Sequence, residues 1–184
     1  MHRFFQIRSF IPLAILAATL LLSACNKNDV KKAAEYTGPL SEAENVELYY
    51  SDNDQVKIKM TADLMHEFKN HDREFPKGIY IEFYDEFGRI KTTLRANNAY
   101  YFKTEDQWRG RGKVEVKNIE KNEQLTTEEL FWKPADERIF TDKFVTIRQE
   151  NDVVYGTGLE AKQDMSTYTL KNQISADLEV KDEP

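Results

Sequence analysis

From Val46 onward, apolar side chains recur at every second position. That period limits the fold more than any other feature, because only an extended chain sends successive side chains to opposite faces. Val46, Leu48 and Tyr50 alternate with Glu47 and Tyr49, and Val56, Ile58 and Met60 with Gln55, Lys57 and Lys59. Ile79, Ile81 and Phe83 alternate with Tyr80, Glu82 and Tyr84, and Val114 and Val116 with Lys113, Glu115 and Lys117. Phe144 to Arg148 and Asp152 to Gly156 add shorter runs. Turn-forming residues bound them: Ser51-Asp52-Asn53-Asp54, Asp85-Glu86-Phe87-Gly88, Asn118 to Asn122, Pro134-Ala135-Asp136 and Glu150-Asn151-Asp152. Short strands joined by tight turns predict an all-β sandwich or roll. Met60 to Lys69 and Thr126 to Phe131 contain good helix formers, with Leu64 and Phe68 at helical spacing, but both are assigned as strands because tertiary context overrides propensity.

A weak repeat runs through these strands. Leu94, Ala96, Ala99 and Tyr101 stand at offsets 0, 2, 5 and 7, and Leu125, Thr127, Leu130 and Trp132 stand at the same offsets 31 residues on. Met60, Ala62 and Met65 begin the pattern again. Two residues on one face, a three-residue step and two more describe a strand bent or bulged at its centre. A stack of such strands builds one continuous core.

The chain has material for that core, with 11 Phe, 9 Tyr and 2 Trp against only 7 Gly and 5 Pro. Its net charge of -6 argues against nucleic-acid binding, which needs basic surface to neutralise phosphates. A single cysteine excludes an internal disulfide and a cysteine-based zinc cluster.

Residues 1–24 are expected to be a signal segment. Arg3 and Arg8 precede a mostly apolar run from Ile11 to Leu22, followed by small residues. Leu22-Ser23-Ala24-Cys25 resembles the lipobox of bacterial lipoproteins, which implies cleavage before Cys25 and acylation of its thiol. Acyl chains at one residue anchor a protein at roughly 0.8 kcal/mol per buried methylene. Removal of Arg3 and Arg8 leaves 24 basic and 32 acidic residues. The alternatives are a secreted protein with an idle cysteine, or an uncleaved anchor, since the uncharged stretch Ser9 to Asn26 approaches the roughly 20 residues of a spanning helix. Residues 25–45, mostly polar with Gly38-Pro39, read as a tether, and 46–184 as the folded domain.

Catalytic signatures are missing: there is no nucleophile elbow, phosphate loop or dinucleotide fingerprint. Asp85-Glu86-Phe87-Gly88 reads as a hairpin turn. His66 and His71 lack a third convergent ligand and make a poor metal site. No catalytic residue, metal or cofactor is assigned, and the chain reads as a non-enzyme. The first strand, Val46 to Tyr50, carries one charge, Glu47, and no proline. The last candidate strands, Thr167 to Leu170 and Ile174 to Val180, lack proline and glycine. Such unprotected edges invite strand addition by a partner, with Val46, Leu48 and Tyr50 at one edge and Thr167, Thr169 and Leu170 at the other.

Gly112-Lys-Val114-Glu-Val116, Leu125-Thr-Thr127-Glu-Glu-Leu130-Phe-Trp132, Ile139-Phe-Thr141-Asp142-Lys-Phe-Val145-Thr-Ile147 and Gly156-Thr-Gly158-Leu159-Glu-Ala161 follow one another along the chain. In that order they resemble the LptC family of lipopolysaccharide export proteins. Phe75-Pro76-Lys77-Gly78 and Leu94-Arg-Ala96-Asn-Asn-Ala99-Tyr100 are similar to that family as well, and the resemblance covers about Val46 to Val180. It implies a β-jellyroll, a slightly open roll of antiparallel strands whose interior carries lipopolysaccharide acyl chains while the head groups stay outside. It further implies docking of the N-terminal edge on the inner-membrane ABC permease and of the C-terminal edge on a periplasmic LptA-like bridge protein. The place implied is the periplasm, at the inner-membrane face. Val114, Val116, Leu130, Trp132, Val145 and Ile147 would line such an interior. Well-known members carry a spanning helix where this chain has a lipobox-like segment.

Overall fold

The computed structural model describes residues 36–149 and 152–174. The described chain forms one antiparallel sheet of 11 strands in the order β11-β10-β9-β8-β7-β5-β4-β2-β3-β6, with β1 on the free side of β2. The strands are β1 (Ser41–Asp52), β2 (Gln55–Glu67), β3 (Arg73–Phe75), β4 (Ile79–Tyr84), β5 (Ile90–Ala96), β6 (Asn98–Phe102), β7 (Gln107–Asn118), β8 (Glu123–Lys133), β9 (Arg138–Arg148), β10 (Val153–Lys162) and β11 (Tyr168–Ile174). Of Met60 to Lys69, the part up to Glu67 lies in β2, and Thr126 to Phe131 lies in β8, so the helical alternative fails at both. Phe68 and Lys69, expected to continue the strand, instead enter a turn in which the His71 amide donates to the Phe68 carbonyl at 2.9 Å.

The sheet folds into a jellyroll because its long strands break near their middles. The first half of β2 pairs with β4 and its last residues pair with β3. Likewise β6 pairs with the first half of β7 and β5 with the second. The register shifts between Arg111 and Val114, between Thr127 and Phe131, and between Thr157 and Leu159. Positive φ at Asn45, Gly78, Gly112, Lys113 and Gly158 marks the same line. These breaks divide the sheet into two leaves that face each other. The extra residue at each break resets the phase, so both halves of a strand turn apolar residues inward.

That geometry accounts for the repeat. Leu94, Ala96, Ala99, Leu125, Leu130 and Trp132 are buried in one core, with Tyr101 packed half-buried against it. In β10, Val154, Gly156, Leu159 and Ala161 follow the same offsets: Leu159 and Ala161 are in the core, Val154 packs half-buried against it, and Gly156 is buried. Burying an apolar side chain of this size stabilises the fold by about 1.5–3 kcal/mol. An aromatic chain ties the leaves together: Phe75 stacks on Trp108 at 5.5 Å, Trp108 lies 5.9 Å from Trp132, and Trp132 meets Phe83 edge-on at 5.3 Å.

Turn chemistry follows the sequence. Asn53 and Asp54, both with positive φ, form the two-residue hairpin loop between β1 and β2. Asp85 Oδ1 accepts hydrogen bonds from the Phe87 and Arg89 amides, 2.8 and 2.9 Å, closing the β4–β5 hairpin. Residues 150 and 151, within a further expected turn, lie outside the described residues.

Two expectations at the edges require correction. β1 begins at Ser41 rather than Val46, because Asn45 at φ 53 interrupts the alternation without ending the strand. It therefore carries Glu42, Glu44, Glu47 and Asp52 rather than a single charge. Thr167 lies in the turn before β11, since its carbonyl accepts from the Lys162 amide at 3.0 Å and closes that hairpin. Of the expected strand Ile174 to Val180, only Ile174 is described, at the end of β11.

Candidate functional site

Among the described residues, the inside of the roll gathers apolar side chains from every strand. Val116, Val145 and Ile147 are 0 % exposed, and Val114, Leu130 and Trp132 are 1, 2 and 5 % exposed. Alternation and bulge together bring all six predicted lining residues into one cluster. The same cluster holds Phe75, Ile139, Leu159 and Met165, which were not predicted to line it. Phe75, Ile139 and Leu159 stand within the segments quoted for the family resemblance, but Met165 sits in a turn, where no period announces it. In this state the six side chains pack against one another rather than around an open channel.

Polar groups at the bends are satisfied locally. Thr127 Oγ1 donates to the Phe144 carbonyl at 2.8 Å, and Thr141 Oγ1 accepts from the Lys143 amide at 3.1 Å. Two hollows open along the line of bends. One, of about 650 Å³, is bordered by Asn45, Asp63, Lys77, Tyr80 and Arg95; the other, of about 520 Å³, by Lys113, Glu128, Lys143 and Phe144. The histidines serve the outer surface: His66 lies 3.5 Å from both Glu42 and Glu74, and His71 lies 3.1 Å from Glu67.

At the two edges the apolar interior runs out into half-buried positions. Val46 and Leu48 of β1 pack against the core from one end, and Tyr168 and Leu170 of β11 from the other. Tyr50 is 61 % exposed and adds little to the interior. Among the described residues, β1 pairs only with β2 and β11 only with β10, so each leaves a row of backbone groups unpaired. The ladder fixes which groups of β11 point outward. Lys162 N bonds to Thr167 O, and Thr169 stands opposite Glu160, so alternation turns the Thr169 amide toward β10. The amides of Tyr168, Leu170 and Asn172 therefore face away from the sheet. Of the three C-terminal edge residues expected from the sequence, only Leu170 offers an outward donor.

An ion pair ties the two leaves together at one margin of the roll. Lys91 Nζ lies 2.9 Å from Asp164 Oδ2, joining β5 to the turn between β10 and β11. Burial alone would raise the Asp164 pKa, but hydrogen bonds from Ser166 and the Lys91 ammonium outweigh it and hold it at about 2. The same pairing raises Lys91, the hydrogen bond to Asp164 being the main cause. A carboxylate with a depressed folded-state pKa contributes stability that is complete above its unfolded value and lost as pH falls. With Asp164 only 26 % exposed, the contribution is roughly 1–2 kcal/mol after allowance for solvent screening. Unfolding by urea at a series of pH values is expected to show this increment fading between about pH 4 and pH 2, and Asp164→Asn is expected to flatten that part of the profile. An unchanged profile in the variant would deny the pair a role in stability.

Cys25 lies outside the described residues. A family model described as lipopolysaccharide-assembly, LptC-related matches residues 11–179. A search of curated proteins finds no match.

Proposed function

Since the chain belongs to the LptC-related family of lipopolysaccharide-assembly proteins, we propose that its roll accepts lipopolysaccharide acyl chains from an inner-membrane ABC transporter and passes them to an LptA-like periplasmic bridge. The observation that carries this reading is the continuity of the apolar interior from edge to edge. Val46 and Leu48 at one end, the buried cluster in the middle, and Tyr168 and Leu170 at the other end form one lining that a neighbouring roll could extend. Strand addition at β1 by the permease and at β11 by the bridge would satisfy the unpaired backbone and align the interiors. The transfer involves no bond making, and the binding must be weak enough for release.

On this reading Cys25 carries the lipid anchor that keeps the domain at the inner-membrane face, with the residues before Ser41 as its tether. Mass spectrometry of purified protein is expected to find Cys25 as an acylated first residue. Persistence of residues 1–24 would favour an uncleaved anchor.

The closed packing of the interior also suits a structural or adhesive envelope protein that carries no lipid. Photo-crosslinking in cells separates the two. A crosslinking residue at Val116, Leu130 or Ile147, all facing inward, is expected to label lipopolysaccharide, whereas Lys117 or Glu129 on the outer face is not. Equal labelling on both faces, or none inside, would reject the acyl-chain reading.

A further inference from the structure

Residues 163–167 join β10 to β11 at the margin of one leaf. Their own leaf holds them through Gln163, whose amide donates to the Glu137 carbonyl at 2.8 Å and whose Oε1 accepts from Trp132 Nε1 at 2.8 Å. Their far side is tied to the opposite leaf. Lys91 Nζ meets Asp164 Oδ2 at 2.9 Å, Asn118 Nδ2 donates to the Asp164 carbonyl at 2.7 Å, and Lys121 Nζ donates to the Ser166 carbonyl at 3.2 Å. Neither β10 nor β11 pairs with β5 or β7, so these ties cross the mouth of the roll instead of following the sheet.

Between the two sets of ties, Met165 is 1 % exposed and belongs to the core. Turns run over protein surfaces, and a fully buried side chain at a turn needs a space of its own to fill. Methionine suits such a space: it is unbranched, flexible and apolar throughout, much like a short piece of alkyl chain. An acyl segment could replace it with little change in buried apolar area. Two of the three ties to the opposite leaf come from lysines at the solvated margin, with Lys91 36 % and Asp164 26 % exposed, so water can take over their hydrogen bonds at modest cost. The buried Asn118 holds the turn by a single hydrogen bond.

We propose that the turn 163–167 is a latch across the mouth of the roll, and that Met165 occupies the slot an acyl chain takes when the latch opens. This rests on the acyl-chain reading of the interior and names where the chains cross into it.

The test uses the purified full-length protein and lipopolysaccharide. Methionine oxidation by dilute peroxide, mapped by mass spectrometry, follows exposure of each thioether. Added lipopolysaccharide is expected to speed oxidation of Met165 about tenfold while Met60, buried away from the latch, stays protected. In parallel, a photo-crosslinker at Val116 reports chains inside the roll. The double variant Lys91→Ala, Lys121→Ala, which leaves the core intact, is expected to raise the rate of that labelling by about three- to tenfold. Labelling at Val116 with unchanged Met165 oxidation and no effect of the double variant would overturn the latch and leave the acyl-chain reading standing. No labelling at Val116 in either protein would remove both.

Discussion

Gly78→Ala is expected to lower the free energy of unfolding by about 3 kcal/mol, a large share of the roughly 5–15 kcal/mol that holds a domain together. Gly78 sits where the chain passes from β3 to β4, at the line of bends, with φ 95. A Cβ there would lie 2.6 Å from the Ala96 carbonyl oxygen and 3.1 Å from that of Asn97, both backbone atoms that cannot rotate aside. Two costs combine: left-handed backbone geometry for an L-residue, about 1–2 kcal/mol, and forced separation of packed strands, about 1–3 kcal/mol. Gly88, in the β4–β5 turn, separates them. Its φ is 75, but a Cβ would meet nothing within 4 Å, so Gly88→Ala is expected to cost only the first part, about 1–2 kcal/mol. Chemical denaturation of the two variants checks this. Equal losses would mean that the close approach of β4 to Ala96 and Asn97 does not set the bend.

Asn172→Pro is expected to weaken capture of an LptA-like bridge protein by more than about tenfold while leaving the fold intact. The ladder turns the Asn172 amide away from β10, and proline is tolerated on an edge strand where the missing donor faces outward. Thr169→Pro makes the contrast. Its amide faces Glu160 of β10, so that variant is expected to lose stability, by about 1–3 kcal/mol, through the protein's own ladder. Pull-down with the bridge protein and thermal unfolding read the two effects separately. If Asn172→Pro folds normally and captures the bridge at full strength, β11 is not the docking edge. A pairing defect that tracks stability alone in both variants would lead to the same conclusion. Because β11 carries only Lys171 as a charge while β1 carries four carboxylates, the C-terminal edge is the less protected of the two against strand addition.

The strands and the facing of their side chains were legible in the order of residues alone. Alternation is a local property, set by the backbone of each strand, so Val114, Val116, Val145 and Ile147 could be placed on one face without knowledge of what lies opposite. The offset repeat reached further: Leu125, Thr127, Leu130 and Trp132 all point inward because a bulge resets the phase, and the three-residue step records that bulge. Asp85 and Asn53 likewise announce their turns through local hydrogen bonding and positive φ. Features that depend on pairing and on contacts distant in the chain were not legible there. β1 starts at Ser41 because Glu44 and Ala43 find partners in Leu64 and Met65, which compensates for the break at Asn45. Which amides of β11 face outward follows from the hairpin register closed by Lys162 and Thr167, since a shift of one residue would exchange Thr169 with Leu170. Met165 is buried, and Lys91 meets Asp164 across 73 residues, only because the two leaves close on each other. No local period encodes such a contact: it exists when the bends bring the far margins of the sheet together.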